Sequence, residues 1–117
     1  MLIIRSEQIE IFRRDQLRQF EDDMVVHLWS RFGGHPLLGN EERLRSVIRE
    51  AVSAAASYGL VYEVDVRRFV EFILEYGTDF PLAEWAAPIL NDARLSGSAK
   101  MDRIDDYTVF VLRTMKR

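Results

Sequence analysis

The chain has 117 residues, 48% hydrophobic and 30% charged, with a formal net charge of −3 and no cysteine. A folded chain of this size exposes about 6,600 Å² of the roughly 20,000 Å² its unfolded form offers, enough to bury one real core. The composition excludes a disordered tail and a membrane bundle, and the missing cysteines exclude disulfides, thiol chemistry and Cys-ligated metal.

Further expectations follow from the same counts. One domain over residues 1–117 is expected, and the absence of cysteine fits a reducing, cytoplasmic setting. The four apolar residues before Arg5 are too few for a signal-peptide core. No apolar run approaches the ~20 residues needed to span a bilayer. Charge is unevenly spread, at −5 over residues 60–92 and +3 over residues 93–117. Pairing between these stretches is the expected outcome, and a surface that steers a partner is the alternative. The overall acidity argues against nucleic acid as a partner.

In chain order, Ser6 is a candidate cap for a first helix running to Phe32 without Gly or Pro. Leu17, Phe20, Met24, Leu28 and Phe32 recur at steps of three and four, one buried helical stripe that Val25 and Trp29 widen. Residues 33–40 read as a loop, with Pro36 forbidding helix continuation. Asn40 caps the second helix, with Glu41 and Glu42 in its first turn. That helix carries Leu44, Val47, Ile48, Ala51, Val52 and Ala55 to Tyr58, and Gly59 is the natural stop. Its alanines predict a close helix neighbour.

A third helix carries Val66, Phe69, Val70, Ile73 and Leu74 and ends at Tyr76-Gly77. Its start is ill-defined, because Tyr62 stands where a small hydroxyl residue would cap well. Residues 78–81 read as a loop. A short fourth helix carries Trp85, Ile89 and Leu90, limited by Pro88, and Ser98 caps a last helix through Ile104, Tyr107, Val111, Leu112 and Met115. Strand evidence is confined to Leu2–Ile4. The expected fold is all-α, one compact bundle of about five helices.

Chemistry is sparse. His27 lies four residues after Asp23 on one helix face, which reads as a half-buried His beside a local carboxylate. His35 reads as a loop residue. Glu21-Asp22-Asp23 point in different directions along a helix and read as a solvated face. No phosphate loop, nucleophile elbow or metal-ligand spacing stands out. No catalytic residue, metal or cofactor is expected, and the chain is not expected to be an enzyme.

Six motifs recur in a family of small helical proteins. They stand here as Ile4-Arg5-Ser6-Glu7-Gln8, Phe20-Glu21-Asp22 through Phe32, Ala55-Ala56-Ser57-Tyr58-Gly59-Leu60, Glu63-Val64-Asp65-Val66, Tyr76-Gly77-Thr78-Asp79-Phe80 and Trp85-Ala86-Ala87-Pro88-Ile89-Leu90. The pattern resembles the accessory proteins encoded beside effectors and adaptor chaperones of bacterial type VI secretion systems. The resemblance implies a co-chaperone or adaptor partner that helps hold or load an effector. An immunity protein neutralising a neighbouring toxin is the alternative.

Tyr62, Tyr76, Phe80 and Trp85, with the acids Glu63, Asp65 and Asp79, gather in sequence around two Tyr-Gly corners. They form the expected protein-binding surface, because Tyr and Trp are frequent interface anchors and acids at a rim steer association. The competing reading is that these aromatics fill the core beneath the corners. The outer face of the first helix, around Arg14, Arg18 and Asp22, is the alternative surface.

Overall fold

The computed structural model describes residues 14–112. Five α-helices follow in order: α1 Arg14–Arg31, α2 Glu41–Ser57, α3 Glu63–Tyr76, α4 Ala87–Leu90 and α5 Gly97–Tyr107. Short 3-10 turns at Pro36–Gly39 and Phe80–Leu82 fill two of the loops, and a π-helical turn, Thr108–Leu112, extends α5. No β-strand runs through the described residues. The all-α bundle of about five helices read from the periodicity is the observed fold. Ser6, Leu2–Ile4 and Met115 lie outside the described residues.

The three-and-four stripe of α1 buries Phe20, Met24 and Leu28, with Val25 beside them. Trp29 does not join it and stays 50% exposed. The stripe packs on α2, whose buried face is Leu44, Val47, Ile48, Ala51, Val52 and Ala55. α3 closes the other side of α2 with Val66, Phe69, Val70, Ile73 and Leu74. Small side chains on α2 let these axes approach, as the alanine run predicts.

The helix ends follow local chemistry. The Asn40 side chain accepts from the Arg43 N–H at 3.0 Å and starts α2. Gly59, at φ +83, stops it, with Gly59 N–H donating to Ala56 O at 3.0 Å and Leu60 N–H to Ala55 O at 3.1 Å. That paired arrangement is a Schellman cap, and buried Leu60 supplies its hydrophobic contact. Tyr62 caps α3 without a side-chain bond; its carbonyl simply accepts from Asp65 and Val66 N–H.

Two starts differ from the sequence reading. Ser96, rather than Ser98, caps α5, accepting from the Ala99 N–H at 3.1 Å. Trp85 precedes α4 instead of lying in it.

α5 docks end-on against the α2–α3 corner. Gly97 sits where a Cβ would lie 2.4 Å from the Gly59 carbonyl oxygen. Ser98 Oγ donates to Asp65 Oδ2 at 2.5 Å, and Lys100 Nζ donates to Tyr58 O at 2.7 Å. The ammonium thus sits at the C-terminal end of α2, where the helix dipole favours a cation.

Arg68 gathers three carboxylates, Asp65 at 3.2 Å, Asp102 at 3.1 Å and Asp105 at 2.7 Å. Burial lowers the Arg68 pKa, but hydrogen bonds and charge from Asp105 and Asp102 outweigh it and leave it raised. Among the described residues this cross-stretch cluster has the reverse sense, with a cation of the acidic stretch meeting acids of the basic one. Asp92, bonded to Arg94 at 3.0 Å and also under the charge of Arg103, shows the expected sense.

Candidate functional site

The expected surface is built where α3 ends. Gly77 takes φ +97, a conformation that glycine adopts without strain, and the chain reverses there. Pro81 fixes the 3-10 turn that follows. The turn drives Phe80 inward, with ring centroids 5.6 Å from Phe69 and 5.5 Å from Phe72. Trp85 then lies 5.5 Å from both Phe80 and Tyr76 and stacks on Tyr107 of α5 at 5.1 Å, the planes 5° apart. This aromatic chain joins α3, the turn and α5.

Over it opens a hollow of about 560 Å³ lined by Tyr76, Asp79, Phe80, Leu82, Ala83 and Trp85. Four of the seven expected residues therefore meet. Phe80, 1% exposed, forms part of the core and offers no side chain to a partner. Its apolar ring is worth more buried among Phe69 and Phe72 than exposed.

The other three lie elsewhere. Tyr62, Glu63 and Asp65 stand at the opposite end of α3, about 20 Å away at 1.5 Å per residue. The two Tyr-Gly corners are thus not one surface. Asp65 is 2% exposed and holds Ser98 and Arg68, so its role is to fasten α5. Tyr62 is 42% exposed but has no share in the hollow.

One residue missed in the sequence, Leu82, also lines the hollow. Leu82 is 76% exposed, a lone leucine after a turn proline. Glu75 and Glu84, the chain neighbours of Tyr76 and Trp85, are exposed. Leu82 carried a signal, an apolar residue directly after a loop proline; nothing in the sequence marked Tyr107 as the partner of Trp85.

The remaining polar clusters are absorbed by the fold. His27 pairs with Glu71 of α3 at 2.5 Å rather than with Asp23, which accepts from Gln19 instead. His35 is not a bystander in its loop. Its Nε2 lies 2.8 Å from the Leu74 carbonyl and its Nδ1 accepts from the Leu37 N–H at 3.1 Å. Those partners assign the Nε2–H tautomer, since a carbonyl only accepts.

Glu21 is buried, correcting the solvated-face reading, and is held by Arg49 at 2.8 and 3.1 Å and by Arg45 at 3.4 Å. Asp22 pairs with Arg45 at 2.8 Å. A cleft of about 770 Å³ between α1 and α2 is lined by these groups with Arg18 and Glu41. It is larger than the aromatic hollow, but its three arginines and three acids balance and most already bond one another, which leaves little field for a ligand.

Among the described residues no three His, Asp or Glu side chains converge as a metal site. No helix there is long and apolar enough to cross a membrane. No known protein family, curated protein or solved structure matches this chain.

Proposed function

We propose that this protein is a binding module for another protein, an accessory factor acting as co-chaperone or adaptor partner, and that it binds through the hollow beyond the C-terminal end of α3. The observation that carries the reading is the chemistry of that hollow. Trp85 and exposed Leu82 wall it, and Asp79 lines it. Glu75 and Glu84 stand exposed nearby, and none of these three acids makes an ion pair among the described residues. An apolar side chain flanked by Lys or Arg is the occupant that fits. It would bury area against the aromatic walls while the acids steer its approach.

The resemblance to type VI secretion accessory proteins supplies the setting: an effector, or its adaptor chaperone, met in the bacterial cytoplasm. Loading or stabilising such a partner requires a surface and no turnover, which suits a chain whose polar clusters are spent on holding its helices together.

The test is co-expression with proteins encoded beside it, followed by size-exclusion chromatography. Wild type should co-elute with one of them. Leu82→Glu and the pair Asp79→Lys with Glu84→Lys should each break the complex while circular dichroism stays unchanged, and association should slow as salt rises. Elution of the wild type alone with every protein of the locus would sink the accessory reading. A complex indifferent to both variants would sink the hollow as its site.

A further inference from the structure

We infer that this protein also self-associates, as a two-fold dimer formed by the exposed end of α5. The π-helical turn carries four consecutive apolar residues, Val109-Phe110-Val111-Leu112, and none of the four is buried. Phe110 is 72% exposed and Val109 42%. A solvated surface rarely carries such a run without a use for it. Beside it lies a second, shallow hollow of about 490 Å³, lined by Ile89, Arg103, Asp106, Tyr107, Phe110 and Val111. A space of that order readily accepts an aromatic side chain.

Self-complementarity identifies the occupant as a second copy of this chain. A two-fold interface presents the same patch from both sides, so one patch must carry both members of every matching pair. This patch does. It holds a projecting ring, Phe110, next to the apolar hollow of Ile89 and Tyr107. It also holds one cation and one anion, Arg103 and Asp106, about one turn apart on α5. Asp106 makes no ion pair among the described residues, and Arg103 makes no close one, its charge acting on Asp92 from a longer range, whereas Asp102 and Asp105 are both taken by Arg68. An unrelated basic partner would call for a patch of one sign, like the hollow at Trp85, whose one charged lining residue is Asp79.

Two copies of α5, antiparallel and crossing near residue 106, bring Phe110 of each against the Arg103–Tyr107 side of the other's hollow. The long Arg103 side chain then reaches Asp106 across the axis, passing over the ring it shares the space with, a contact favourable to both charge and π-face.

Sedimentation equilibrium of the full chain across micromolar concentrations reads the result directly. The wild-type mass should rise from 13.7 kDa toward twice that value. Phe110→Ala should weaken the dimer about a thousandfold: a buried aromatic anchor costs about thirtyfold on truncation, and two-fold symmetry loses it twice. Arg103→Glu and Asp106→Arg should each weaken it, and the two together should restore it, because the swapped charges again meet across the axis.

Circular dichroism checks that the variants remain folded, as expected for exposed positions. A wild-type mass of one chain at every concentration, a dimer that Phe110→Ala leaves intact, or a double charge swap that fails to recover would each overturn the arrangement. Leu82→Glu should leave the dimer unchanged, which separates this surface from the partner-binding hollow.

Discussion

Replacing Gly97 with alanine tests how α5 is fastened. Alanine in place of glycine gains a helix up to about 1 kcal/mol in its interior and less at a first position such as Gly97. Here the new methyl would stand 2.4 Å from Gly59 O, 2.9 Å from Leu60 Cα and 3.0 Å from Gly59 C, all backbone atoms with no rotamer to yield. Ordinary contact begins at 3.4 Å, so α5 must retreat by about 1 Å. The same first turn carries Ser98 to Asp65 at 2.5 Å and Lys100 to Tyr58 O at 2.7 Å. A retreat of about 1 Å stretches both to the limit of a hydrogen bond or past it. Each bond involves a charged group and is worth about 1.5–3 kcal/mol, so losing the two costs about 3–6 kcal/mol, and subtracting a helix gain of up to about 1 kcal/mol leaves about 2–6 kcal/mol. At about 4 °C per kcal/mol for a domain of this size, the melting temperature should fall by about 8–24 °C. Thermal melts and urea titrations followed by far-UV circular dichroism measure it. Gly39→Ala, where nothing lies within 4 Å of the added Cβ, is the control and should change little. A Gly97→Ala protein as stable as wild type would refute the end-on docking.

Ala55 is fully buried on α2, so Ala55→Leu should overpack the core there and cost about 1–3 kcal/mol, read as a lower urea midpoint. The hydrogen bonds from Arg94 hold the Asp92 carboxyl at about 2, below its ordinary 3.8. A depressed native pKa means that the unfolded chain binds the proton more readily. This contribution to stability is therefore complete above about pH 4 and fades as pH falls toward 2. An NMR titration of the Asp92 carboxyl should show the low midpoint, and Arg94→Ala should return it toward the ordinary value.

What the sequence revealed divides along a physical line. Asn40, Gly59 and Gly77 act on backbone atoms within a few residues of themselves, so their caps and stops were legible from the chain alone. The stripes of α1, α2 and α3 were legible because each helix must bury one face. Ser96 and Ser98 compete for the same cap two residues apart, and tertiary contact decides between them: Asp65 claims Ser98, leaving Ser96 to cap. Partners far apart in sequence were beyond reach, as with His27 and Glu71, 44 positions apart, or Glu21 and Arg49, 28 apart.

The candidate surface failed in part for the same reason. Tyr62 and Tyr76 look like neighbours in motif space, yet a straight helix holds its two ends apart by its own length. Phe80 and Trp85 could be recognised as aromatic anchors, but only the turn at Pro81 decides that one faces inward while the other lines an opening.

The parallel stack of Trp85 on Tyr107 gives the protein a built-in optical reporter. An indole pressed against a phenol absorbs and emits differently from one in water, and the stack sits between the two hollows, touching the lining of both. Occupying either hollow changes the surroundings of the same ring pair. Trp29, half exposed on α1, is the other indole and contributes a separate, water-facing signal that Trp29→Phe removes. Fluorescence from Trp85 alone can then follow dilution of the chain and addition of a partner without any attached dye.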